Sequence, residues 1–92
     1  MAWIFQPIRD VKNDVLYAKT GTFEERLRAY NEELRKRVDP ELYVRYIING
    51  FDIYLDIELT RVAAQNVYPQ LTDEQVYQWI NKHKSEHHIL TT

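Results

Sequence analysis

Apolar and polar positions alternate on both sides of Asn49-Gly50 in the run LYVRYIINGFDIYLDIEL, residues 42–59. Asn-Gly favours a two-residue hairpin loop, because both central residues of a type I′ turn need positive φ. Closing the chain there opposes Ile48 to Phe51, Tyr46 to Ile53, Val44 to Leu55 and Leu42 to Ile57. One face of the ribbon is then wholly apolar. The other face pairs Ile47 with Asp52, Arg45 with Tyr54 and Tyr43 with Asp56. A one-residue slip exchanges the faces, so loop and pattern together predict a central β-hairpin.

The same stretch also carries a helical period. Asp39-Pro40-Glu41 is a good helix start, since Asp caps and Pro suits the first helical position. Val44, Ile48, Phe51, Leu55, Leu59 and Val62 then form one stripe. Leu42, Tyr46, Ile53 and Ile57 fall on the opposite side, and a helix apolar nearly all round must be buried centrally or in an oligomer. Gly50 and the β-branched residues disfavour it. The hairpin is the first expectation, and an all-α bundle with a long buried helix over 40–67 is the alternative.

Elsewhere the pattern is helical. Ala2 to Gln6, with Trp3 and Phe5 and closed by Pro7, reads as a short edge strand or packing arm. Ile8, Val11, Val15 and Leu16 predict a helix over 8–19, stopped near Gly21. Thr22 and Glu25 form a capping box for a helix over 23–37, whose stripe is Phe23, Leu27, Tyr30, Leu34 and Val38. Its outer side offers Glu24–Arg28, Glu32–Lys36 and Glu33–Arg37 pairs, with Arg35, Lys36 and Arg37 suiting the end of the helix dipole. A short helix over 61–67 ends before Pro69. Thr72 with Gln75 opens another over 72–84, whose inward stripe is Leu71, Val76, Trp79 and Ile80. The polar tail at 85–92 is expected to fray.

Composition adds bounds. The chain has 92 residues, 45% apolar and 28% charged, which fits one globular domain over 1–92. Net charge is −2. It divides as eight basic against six acidic residues over 1–38 and four against eight over 39–92. Neither part has the basic excess of a domain that neutralises many phosphates. Cysteine is absent, which removes disulfides, thiol catalysis and the commonest zinc ligands. No apolar run approaches the roughly 20 residues that span a bilayer, and the start of the chain lacks the basic and apolar regions of a signal peptide. A soluble cytoplasmic protein without membrane contact is the expectation.

Catalytic patterns fare poorly. On a strand, Asp52 and Asp56 stand about 13 Å apart, too far for a shared-proton or retaining glycosidase pair. His83 and His87 have the spacing of a helical metal pair, but the third ligand is missing and the segment reads as solvated tail. Ser85 is the only serine, and two glycines make no phosphate-cradling loop. No enzyme, metal or cofactor is expected.

One stretch resembles the recognition helix of homeodomains. Leu71, Thr72, Gln75, Val76 and Trp79 match that helix in register, with Ile80 at its Phe position. The resemblance implies a helix-turn-helix regulator over 61–84 that meets DNA through Lys82, His83 and Lys84. Here Lys82 stands in place of the adenine-reading Asn, and His83 and Lys84 in place of two arginines.

The primary expectation is therefore a small α+β domain with helices packed on a central hairpin. It acts as a non-catalytic protein-interaction module (adaptor, inhibitor or small subunit) that also self-associates. Its partner face is Tyr43, Arg45, Asp52, Tyr54, Asp56 and Glu58, since tyrosine covers interface area while keeping a polar tip. The helix-turn-helix regulator and a small-ligand binder with a tyrosine-lined pocket are the alternatives.

Overall fold

The computed structural model describes residues 3–50 and 56–85. Among them all regular structure is helical, in the order α1 (Gln6–Val11), a π-helical segment (Lys12–Leu16), α2 (Phe23–Arg37), α3 (Pro40–Gly50), α4 (Ile57–Val67) and α5 (Asp73–His83). The chain divides into two compact units, Met1–Asp39 and Pro40–Thr92.

This overturns the α+β expectation. Among the described residues there is no strand, and Val44 and Ile48, placed on a ribbon face, are instead one turn apart on α3 and fully buried. The hairpin needs positive φ at Asn49 and Gly50, and neither residue has it. Asn49 instead donates its side-chain N–H to the Arg45 carbonyl at 2.8 Å, the i−4 geometry of a helix. The start signal at Asp39-Pro40 outweighs the turn signal because the three-helix core offers α3 more apolar contact than a two-stranded ribbon could. The long helix over 40–67 is not formed either. Asp56 has extended backbone (φ −91°, ψ 102°), and its carboxylate accepts the Leu59 N–H at 2.9 Å, starting a separate helix. The strand residues placed at 51–55 lie outside the described residues, as does all of the tail beyond Ser85.

In the first unit, Trp3 to Phe5 is not a strand: the Trp3 carbonyl accepts the Gln6 N–H at 2.9 Å and leads into α1. The helix expected over 8–19 begins earlier and widens into the π segment after Val11. Gly21 then takes the left-handed conformation (φ 71°) that turns the chain towards α2. Arg26 pins this reversal, donating from Nη1 to the carbonyls of Ala18 at 2.8 Å and Leu16 at 3.3 Å. The Thr22 hydroxyl caps α2 by accepting the Glu25 N–H at 3.1 Å. Ile8 and Val11 of α1 and Tyr30 and Leu34 of α2 are buried, whereas Phe23 and Leu27, expected in the same stripe, are exposed.

In the second unit, α3, α4 and α5 enclose a core of Val44, Ile48, Ala64, Val76 and Ile80, with Leu71, Tyr77 and Trp79 packed against it. Thr72 caps α5 by accepting the Gln75 N–H at 3.1 Å. Tyr68, in the α4–α5 connection, is buried and meets the Tyr43 ring edge-on at 5.7 Å.

Candidate interaction surface

A helix in a three-helix unit needs one apolar stripe facing the core. At 100° per residue, Thr60, Ala64 and Val67 of α4 fall together, and all three are buried. Val62 falls on the opposite side and Leu59 on the flank leading to it, and they are 49% and 53% exposed. Half-buried Ala63 and exposed Asn66 extend that outer face, and Ile57 is exposed at the start of the helix. So α4 carries two apolar stripes, and the described residues of its own unit cover one. Thr60 removes the polar cost of the buried stripe by donating its hydroxyl to the Asp56 carbonyl at 2.8 Å.

Beside this face lies a network that fixes α4 to α5. Arg61 pairs with Glu58 one turn earlier and donates to Gln65 Oε1 at 2.7 Å. It also reaches Asp73 at 3.5 Å, at the start of α5. Gln65 Nε2 donates to Asp73 Oδ1 at 2.6 Å and to the Leu71 carbonyl at 3.2 Å. The Tyr77 hydroxyl donates to Glu58 at 3.2 Å. The Arg61 hydrogen bond holds the Glu58 carboxyl below the usual carboxylate range. Burial, then the Glu58 charge, raises the Tyr77 phenol. These groups satisfy one another, so the network reads as a structural strap that leaves an acidic rim of Asp56, Glu58, Asp73 and Glu74, all exposed.

A second cluster joins α5 to α3. His83 Nε2 lies 2.9 Å from Glu41 Oε2, and Lys82 Nζ lies 3.2 Å from the same oxygen. His83 is only 5% exposed, which corrects its reading as part of a solvated tail. The His83 hydrogen bond, with Lys82 contributing, holds the Glu41 carboxyl below its ordinary range.

Of the residues expected to form the partner face, the four described ones fall on α3 and at the start of α4. Tyr43 is directed inward against Tyr68 and Tyr46, and burial raises its phenol. Arg45 is half-buried on α3. Asp52 and Tyr54 lie outside the described residues. Asp56 and Glu58 come together at the start of α4, one as cap and one in the strap. Of the residues matched to a DNA reader, Lys82 and His83 both engage Glu41, while Lys84 is exposed at the end of α5. Reading the pattern missed Leu59 and Val62 as surface. The signal was present, because both turn away from Thr60 and Ala64 once a helix is capped by Asp56.

An open cleft of about 440 Å³ in the first unit is lined by Asp14, Ala18, Gly21, Glu25 and Arg26 among others, and by no tyrosine. Arg37 takes Asp14 at 3.1 Å. Among the described residues no grouping of three or more His, Asp or Glu could hold a metal ion. Nor is any described helix long and apolar enough to cross a membrane. No family model, curated protein or solved structure matches the chain.

Proposed function

We propose that the chain is a non-catalytic, cytoplasmic protein-binding module whose contact surface is the outer face of α4. The observation that carries this reading is the exposed apolar pair Leu59 and Val62, turned away from the buried stripe. Contiguous exposed apolar area rimmed by polar residues marks protein-contact sites. The rim is acidic, and residues 39–92 carry eight acidic against four basic side chains. The occupant it fits is an apolar helix or ridge flanked by lysine or arginine on another protein, because opposite rim charges steer encounter and set register. The DNA reading has less support, since two of its three contact residues are held by Glu41.

The test is capture from lysate of the source organism, with the wild-type chain beside Leu59→Asp/Val62→Asp, in the presence of nuclease. Both substitutions are at exposed positions, so circular dichroism should be unchanged. A protein retained by the wild type and lost by the double variant supports the reading. An identical set of retained proteins overturns it, and capture that disappears with nuclease moves the function to nucleic acid. Sedimentation of the chain alone tests the self-association that is part of the reading.

A further inference from the structure

Among the described residues, nothing in the backbone geometry calls for Asn49-Gly50. Gly50 is the last described residue of α3 and has no positive φ, and a Cβ added there meets no described atom within 4 Å. Alanine fits that space and is the better helix former. Asn49 is no better placed. Its Nδ2 donates to the Arg45 carbonyl at 2.8 Å, while its Oδ1 is buried and accepts from no described residue. A buried acceptor without a partner is a cost that calls for an explanation.

Chemistry gives the pair a property that its turn geometry does not. Asparagine before glycine cyclises readily, because no side chain on the following residue obstructs attack by its backbone nitrogen. We propose that Asn49 is a helix-gated deamidation site that ages the second unit. The Gly50 amide nitrogen loses its proton and bonds to Asn49 Cγ, the Cγ–Nδ2 bond breaks, and ammonia leaves. Water then opens the cyclic imide at either carbonyl, giving aspartate or an isoaspartyl linkage. Water is the only co-reactant.

The gate is the turn of α3 that carries Asn49. As a helical residue, Gly50 directs its N–H back along the helix towards the carbonyl four residues earlier. The Asn49 side chain meanwhile reaches back to Arg45, so nucleophile and carbonyl carbon are held apart. Local opening of one helical turn costs less than global unfolding, and Gly50 is exposed. Reaction makes the opening permanent. A carboxylate at position 49 has lost the Nδ2 donor and sets an acceptor against the Arg45 carbonyl, itself an acceptor. Ile48, fully buried in the core, is the residue before Asn49.

The experiment incubates the full chain at mildly alkaline pH and maps peptides for aspartate and isoaspartate over time. Native wild type is compared with wild type in denaturant and with native Gly50→Ala. Native conversion at Asn49 should run about tenfold or more slower than in denaturant, yet faster than at Asn13, Asn31, Asn66 or Asn81, and Gly50→Ala should abolish that excess. Separately, Asn49→Asp should lower the melting temperature. Native conversion no faster than at the other asparagines means the site is closed, and conversion as fast as in denaturant means there is no gate. Either result overturns the proposal. An Asn49→Asp chain as stable as wild type overturns the ageing consequence.

Discussion

Truncating Ile48 to alanine separates the helical core from every alternative pairing of the same residues. Ile48 is fully buried among Val44, Ala64, Val76 and Ile80. The change removes three carbons, about 2.4 kcal/mol at ~0.8 kcal/mol each. A cavity between three helices adds to this, giving about 3 kcal/mol within the usual 2–5 kcal/mol range. A unit of this size holds roughly 3–8 kcal/mol in total. The variant should therefore lose about half of its stability and on the order of 10–20 °C in melting temperature. Ile47, half-buried and next in sequence, is the control. On α3 it turns away from the core, so Ile47→Ala should cost about 1 kcal/mol or less. In a hairpin closed at Asn49-Gly50, Ile48 stands beside the loop at the end of the ribbon, where truncation is cheap. Urea denaturation followed by circular dichroism measures both variants. An Ile48→Ala cost below about 1 kcal/mol, or no greater than that of Ile47→Ala, refutes the packing argument.

Three further outcomes follow from local geometry. Gly21→Ala should destabilise by about 1 kcal/mol or more, since its φ is 71° and a Cβ there lies 2.8 Å from Glu25 Oε2; Gly50→Ala should be neutral or stabilising, and thermal melts of the two decide. Thr72→Ala, which removes the oxygen that accepts the Gln75 N–H, should cost about 1 kcal/mol in urea titration, and no change would mean that α5 starts without its cap. The Glu41 carboxyl is held below its ordinary 4.5 by His83 first and Lys82 second. Its stabilisation is therefore complete above pH 4.5 and lost as pH falls through the lower folded value. Glu41→Gln should flatten that acid limb by on the order of 1 kcal/mol, and an unaltered limb contradicts the tie between α3 and α5.

What could be read from the sequence was local chemistry. Thr22 with Glu25 and Thr72 with Gln75 state where α2 and α5 begin, because a hydroxyl three residues before a free N–H needs no tertiary information. The stretch 42–59 carries two periods at once, and its two strongest local cues conflict. Asn49-Gly50 argues for a turn and Asp39-Pro40 for a helix start. The conflict is decided by Ala64, Val76 and Ile80, which supply the core that α3 enters, and a window around residue 45 does not contain them. Taking Asp56 as a strand residue hid its role as a cap. The same error concealed that Leu59 and Val62 face away from Thr60 and Ala64. The Glu41–His83 contact spans 42 positions, so no spacing rule could reveal it.

The location of the contact surface is the central claim, and site-specific photo-crosslinking tests it most directly. A photoreactive residue is placed at Val62 and, in separate chains, at Gln78 and Lys82, which are also exposed. Adducts to a partner protein should form from position 62 and be weak or absent from the other two. Adducts that form from 78 or 82 and not from 62 would contradict the assignment of the outer face of α4.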